Sequence, residues 1–269
     1  MRIFHICCFL VFFPPVLSVN AQTEGAVIAA LGGAGTALAG SVWDINGNPA
    51  GLAAITRMEC SWTVVPAPFG LTELRTSAAA VSCPFGKLAA GALCERFGFD
   101  LFRRESAAFC VASEFDRVRA GLLVRFLRFD IARYGSACTA GIDAGFQIHA
   151  GHSVTFGARM TGVNHPAIGV VRDPLPGSCA LGCSYVPADI AIVAAEYVKE
   201  IGFDAAPRFG AEYRPENLFA CRIGVSGNPP LLCAGCGFAA RGWSFDYAYQ
   251  SHADLGATQL FTLTASFGR

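Results

Sequence analysis

Phe261-Thr262-Leu263-Thr264-Ala265-Ser266-Phe267, close to the end of the chain, is apolar at every odd position and polar at every even one. Successive side chains of an extended strand point to opposite faces, so this stretch makes a strand with one greasy face and one polar face. The same alternation recurs upstream. Trp243, Phe245, Tyr247 and Tyr249 alternate with Ser244, Asp246 and Ala248; Phe209, Ala211 and Tyr213 alternate with Arg208, Glu212 and Arg214. Val118, Ala120, Leu122, Val124 and Phe126 alternate with Arg117, Arg119 and Arg125. From Arg57 onward such runs are broken only by Gly, Pro, Asp and Asn, and no amphipathic helical segment interrupts them. The region is all-β.

Counting runs of roughly ten residues, the length that crosses a membrane at a tilt, gives about 14 strands. They fall near 57–64, 73–82, 87–97, 104–114, 117–128, 138–148, 152–162, 178–186, 188–198, 207–214, 217–225, 231–239, 242–250 and 258–267. Connections after even strands are tight: Phe85-Gly86, Asp116, Gly151, Pro187, Pro215-Glu216 and Arg241. Those after most odd strands are longer: Pro66–Thr72, Phe129–Ser136, Val163–Gly177 and Ile201–Ala206, with Ser226–Pro230 a short exception. An even strand count with alternating short and long connections is the pattern of an outer-membrane barrel. Periodicity alone also fits a soluble sandwich with its apolar rows packed together. Aromatics near strand ends (Trp62, Phe97, Phe129, Tyr134, Tyr249, Phe261 and Phe267) suit two interfacial girdles and favour the barrel.

Composition agrees. Of the 269 residues 53% are hydrophobic and only 15% charged, with 20 basic and 20 acidic side chains. Ordinary soluble domains carry about 25% charge. So apolar a chain is not disordered, and the neutral balance argues against a nucleic-acid partner. Arg2, the apolar run Ile6–Phe13 and then Val19-Asn20-Ala21 predict a secretory signal over 1–21, cleaved after Ala21. The uncharged stretch Gly25–Trp43 has the length of a spanning helix, but five of its nineteen residues are glycine. Each glycine costs about 1 kcal/mol of helix stability relative to alanine, so a looped segment packed inside something else fits better.

Leu31-Gly32-Gly33-Ala34-Gly35-Thr36-Ala37, then Asp44, then Asn48-Pro49-Ala50-Gly51-Leu52-Ala53, resembles the N-terminus of the FadL superfamily of outer-membrane barrels, and within it looks closest to the PorV/PorQ branch. The final strand, ending in Phe267 two residues before the last, resembles the aromatic signal read by the barrel-assembly machinery. The resemblance implies a transmembrane antiparallel β-barrel over 57–269, plugged by a short hatch from residues 22–56, in the bacterial outer membrane. Its implied partners are outer-membrane lipid, the assembly machinery during biogenesis, and either a hydrophobic ligand or a secretion partner. Two roles follow: passage of hydrophobic small molecules through a hatch-gated lumen, or an accessory part in protein secretion and surface attachment. The hatch turn Asn48, Pro49 and Ala50 is carried over as a binding candidate. Asn48-Pro49 is also a turn signal in its own right.

Arg117, Arg119, Arg125, Arg159, Arg208, Arg214 and Arg222 fall on predicted lumen rows, with Glu114, Asp143, Glu196, Glu212 and Asp246 as candidate partners. They suit either an anionic head group or an internal salt-bridge network, and the equal numbers of acids and bases favour the network. Catalysis is not expected: no nucleophile stands with His149, His152, His165 or His252, and no cofactor is implied. His149 and His152 form an HxxH without the further ligands zinc needs, so no metal is expected. Ten cysteines follow the predicted leader. Cys233 and Cys236, an odd offset apart, fall on opposite faces of a strand. Cys179 and Cys183 share a face but lie about 13 Å apart, beyond the roughly 7 Å limit for a disulfide. Most read as small apolar wall residues, with cross-strand pairs left open because the register is not legible.

Overall fold

The computed structural model describes residues 22–169, 173–188, 190–216 and 218–268. The proposed leader over 1–21 lies outside the described residues. Fourteen strands close into one antiparallel barrel: β1 (Met58–Val65), β2 (Thr76–Phe85), β3 (Leu88–Gly98), β4 (Phe102–Phe115), β5 (Val118–Ile131), β6 (Gly135–Ala150), β7 (Val154–Thr161), β8 (Ser178–Ala188), β9 (Ala191–Glu200), β10 (Ala206–Glu216), β11 (Phe219–Gly227), β12 (Pro230–Ala240), β13 (Trp243–His252) and β14 (Gly256–Phe267). Each pairs with its sequence neighbours, and β1 closes on β14 through Met58↔Phe267 to Val64↔Phe261. Closure satisfies every ladder and leaves no open edge, which a membrane-spanning sheet requires. It also removes the sandwich alternative.

The outer wall is apolar. Leu181, Ile223 and Leu232 are each about two-thirds exposed, and Phe126, Phe156, Tyr197, Phe209 and Tyr213 stand out beside them. So much contiguous apolar surface on a protein in water would be an aggregation site; in a bilayer it is the solvent-facing side. The inner rows carry the polar and small residues.

Connections after even strands are tight, and the non-glycine residues Asp116 and Arg241 take positive φ there. The connections after odd strands are less uniformly long than the sequence suggests. Residues 99–101, 132–134, 228–229 and 253–255 are all that separate their strands, while 66–75 and 162–177 remain long. The predicted Phe129–Ser136 loop is mostly ladder: Phe129 pairs with Ala137 and Asp130 with Ser136. Hydrogen bonding runs past the point where the outward row stops being apolar, and alternation cannot signal that. Residues 162–177 contain a small hairpin, Ala167–Ile168 against Asp173–Pro174.

Two of the seven proposed girdle aromatics do not stand on the outer wall. Phe97 lies under the Arg104 guanidinium, 5.3 Å from its carbon, and Phe129 lines the inside of the mouth beside Arg125 and Asp143. Both follow the inward parity of their strands. Trp62, Tyr249 and Phe267 are exposed on the outer face, and Tyr134 stands at a loop tip.

Residues 22–56 lie inside the barrel. A short helix α1 (Gly25–Ala30) packs on β12, β13 and β14. Two 3-10 turns follow, Val42–Ile45 and Pro49–Ala54, the second against β4, β5 and β6. Val42, Trp43, Ile45, Leu52 and Ile55 join Leu93, Leu123 and wall alanines in the main buried apolar cluster.

Candidate functional site: the hatch and the lumen

The hatch reaches the wall through missing side chains. Inward positions of eight strands are glycine where it passes, and three pairs of these glycines face one another: Gly121↔Gly145, Gly157↔Gly182 and Gly210↔Gly224. A Cβ on Gly121 would collide with the Pro49 carbonyl, one on Gly157 with the Thr36 carbonyl, and one on Gly224 with the Gly32 amide. On Gly210 it would come within 2.6 Å of Leu31, and on Gly235 within 2.5 Å of the Ala30 methyl. Only glycine lets two backbones approach this closely. The sequence shows glycine on the polar rows but not that these residues form a track for another segment.

Asn48 is fully buried and locks the track at β6 and β7. Its Nδ2 donates to Thr36 O at 2.7 Å, while its Oδ1 accepts from the Ala50 amide at 3.1 Å. The second contact caps the turn that Pro49 starts. Pro49 and Ala50 are buried against Gly121 and Gly145. This hatch turn therefore sits within the packing between hatch and wall.

The lumen arginines are paired, and several of them grip the hatch backbone. Arg159 donates to Glu24 at 2.8 Å and to the carbonyls of Asn46 (3.0 Å) and Gly47 (2.5 Å), with Glu196 3.6 Å away. Arg208 reaches Gly33 O and Glu196, both at 3.2 Å, and Glu196 also accepts from the Thr36 amide at 2.8 Å. Arg125 donates to Asn46 Oδ1 at 2.9 Å and to Asp143 at 3.3 Å. Arg222 bridges Glu212 at 2.5 Å and Asp246 at 2.7 Å; Arg214 joins Glu212 at 2.6 Å, and Arg119 joins Glu114 at the same distance. Arg117 is exposed in the turn between β4 and β5 and does not enter the lumen. The glycine-lined hatch and these pairs leave no unpartnered arginine cluster for an anionic head group among the sequence candidates that do line the lumen.

Sequence reasoning missed several anchors. Glu95 holds both Arg104 (2.8 Å) and the Thr23 amide (2.9 Å). Glu59 accepts from the Val42 amide, Trp43 Nε1 donates to Ser61 Oγ, and Gln147 donates to Leu38 O. Their inward parity was readable; their partners lie a hatch away in sequence and were not. Burial pushes the Asp44 carboxyl, in the hatch, up to about 8 against the amide bonds it accepts from Ser41 and Gly40. His149 bonds Thr155 at 2.9 Å, and no group of three or more metal-ligating side chains occurs among the described residues.

Two spaces remain. A cavity of about 570 Å³ opens towards the tight-turn end, with the hatch residues Val27, Leu31, Leu38 and Trp43 on one side and Arg119, Glu212, Arg222 and Asp246 on the other. Towards the other end a space of about 40 Å³ lies beneath Pro166, Leu175 and Pro176 of the long connection.

Closed barrel, apolar outer wall and internal hatch define the class: a transmembrane β-barrel of 14 strands with a short N-terminal plug. Neither the protein-family models nor the curated proteins yield a match to the sequence. Among solved structures the fold is similar to the toluene transporter TodX of Pseudomonas putida, with a TM-score of 0.72 at 11% identity over 91% of this chain and 99% of that one. It is similar also to the monoaromatic hydrocarbon channel CymD (0.70, 14%, 91% and 98%) and to a FadL homologue of Pseudomonas aeruginosa (0.64, 12%, 90% and 98%). The fold is thus that of FadL-type barrels.

Proposed function

We propose that this chain is a channel of the bacterial outer membrane for hydrophobic small molecules, shut in the present conformation by its hatch. The observation that carries the proposal is the hatch itself, which fills the lumen by backbone contact on a glycine track, within a fold shared with channels described for toluene and monoaromatic hydrocarbons. The cavity at the tight-turn end supports it, because displacing the hatch would join that space to the sealed side. Passage rather than reaction is the role, and the paired arginines serve to seat the hatch.

The second role, in secretion or surface attachment as in the PorV/PorQ branch, finds less support. Most outer connections span two to five residues and offer no broad platform for a folded client. The test is uptake of radiolabelled toluene by vesicles carrying the reconstituted barrel. Entry above that of protein-free vesicles, altered by changes to the hatch turn, is expected. Equal entry with and without the barrel, together with a stably co-purifying protein client, would overturn the transport role in favour of attachment.

A further inference from the structure

All ten cysteines of the described chain are free thiols in this structure, and among them only one pair is directly opposed across a ladder: Cys221 of β11 faces Cys236 of β12. Every ladder partner of the others is a residue other than cysteine. Both Cys221 and Cys236 are exposed on the outer wall, in the row Tyr213, Cys221, Cys236, Tyr247. That row lies two positions from the open end of the hairpin, where Phe219 pairs with Phe238 at the tight-turn end of the barrel. The thiols therefore sit within an aromatic belt near the water boundary, where soluble thiol reagents reach, and away from the middle of the bilayer.

Opposition alone does not permit a bond; the kind of ladder position decides. The Ala239 amide donates to Leu218 O at 2.8 Å, so 218 and 239 form a hydrogen-bonded pair. Antiparallel ladders alternate, which makes 219/238 a non-hydrogen-bonded pair, 220/237 a hydrogen-bonded one, and 221/236 a non-hydrogen-bonded one. The far end checks the count: Gly227 faces Pro230 in the same non-hydrogen-bonded series, where proline's missing N–H costs nothing. At such positions the Cα atoms lie about 4.5 Å apart with the side chains drawn together. Disulfides span Cα separations of about 4.4–6.8 Å, so this pair needs rotation about the side-chain bonds and no backbone movement.

We propose that Cys221 and Cys236 are a cross-strand disulfide site, joined when the folded barrel meets an oxidised small disulfide. In the first step one cysteine thiolate attacks a sulfur of that disulfide and expels a thiolate. In the second the partner thiolate attacks the cysteine sulfur of the mixed disulfide and expels the other. The two cysteine protons pass to the two small thiolates, and the two electrons released by the cysteines reduce the reagent. The bond ties β11 to β12 beside Gly224, on which the hatch rests. CxxC partner Cys233 takes no part, because it is buried on the lumen face.

The test uses the barrel refolded in detergent with glutathione disulfide, its native state checked by faster migration of the unboiled band. After blocking free thiols, trypsin cuts behind Arg208, Arg222 and Arg241, while Pro215 protects Arg214. The expected product is peptide 209–222 joined to peptide 223–241, two hydrogens lighter than the sum of its parts and split by reductant. The link should persist in Cys233→Ser and vanish in Cys236→Ser. A correctly folded barrel without the linked peptide, or a link lost in Cys233→Ser, would overturn the proposal. The outcome is independent of toluene uptake, so failure here and failure of the transport role are separate results.

Discussion

Gly145 and Gly141 lie on the same inward row of β6, four residues apart, and differ in what stands above them. A Cβ on Gly145 would run into Asn48 Oδ1 and come 2.9 Å from the Ala50 amide nitrogen and 3.0 Å from Pro49. A Cβ on Gly141 would make an ordinary 3.7 Å contact with Pro166. Neither glycine has positive φ, so alanine suits both backbones. Gly145→Ala should therefore unseat the hatch turn while Gly141→Ala leaves it in place. Overpacking costs about 1–3 kcal/mol. Losing the two short Asn48 hydrogen bonds adds about 0.5–1.5 kcal/mol each. The better strand preference of alanine acts on the barrel whether the hatch is docked or released, so it does not enter. The sum is about 2–6 kcal/mol against hatch docking, or roughly thirtyfold to twenty-thousandfold in its opening constant at 1.4 kcal/mol per tenfold. Amide hydrogen exchange over residues 48–55 of the detergent-folded barrel reads that constant. Equal exchange in the two variants would refute the glycine track as the hatch's seat.

Arg159→Met removes the cation 2.8 Å from Glu24 and leaves Glu196 with Arg208 alone, and breaking a buried pair costs about 3–5 kcal/mol; the temperature at which the unboiled gel band disappears should fall. Asn48→Ala removes the cap of the 49–54 turn and should cost about 0.5–2 kcal/mol of hatch docking, read by the same exchange experiment. For Asp44, whose carboxyl is pushed up to about 8 by burial from an ordinary 3.8, the docked hatch binds a proton that the released one gives up. Docking is then strongest below about pH 4 and weakens up to about pH 8, by at most about 1.4 kcal/mol per unit, with Glu59 and Arg119 the charged groups facing it. Asp44→Asn should flatten that slope in exchange data corrected for intrinsic rate.

Strand positions were legible because each carries a period of two over eight or more residues, and the end of the chain, Phe261–Phe267, carries it without a break. The lumen network was legible in kind: Arg125, Arg222, Asp143 and Asp246 share the inward rows by parity and charge, without their pairing. What parity cannot supply is register or depth. Arg117 has the parity of Arg119, yet a turn claims it; Phe97 and Phe129 have the inward parity and were misplaced because an aromatic near a strand end suggests a girdle. The ladder beyond Phe129 is invisible because its outward residues, Arg128 and Asp130, look like loop. Hatch contacts were least legible, since they join carbonyls and amides of residues 31–50 to glycines more than seventy positions away, and a glycine leaves no pattern to read.

A polar lumen is compatible with hydrophobic cargo once the hatch is seen in two halves. Residues 42–55 bury Trp43, Ile45 and Leu52 against Leu93 and Leu123, so their release exposes large apolar side chains to water. Arg159 grips the rear half, at the carbonyls of Asn46 and Gly47. Residues 25–37 bury mainly alanine against Ala248 and Leu260, with Ile28 and Leu31 their larger side chains, and their polar contacts are backbone groups held by Arg208, Glu196, Thr262 and Gln250. Those acceptors and donors exchange protein partners for water at little net cost when the cavity beside them floods. On the transport role proposed above, the forward half is the one that lifts while the rear half stays anchored, and its face towards the cavity, Val27, Ile28 and Leu31, is apolar. On that same proposal a hydrophobic molecule in the cavity meets that face, so the part of the plug that is cheapest to move is also the part that gains from contact with such a ligand.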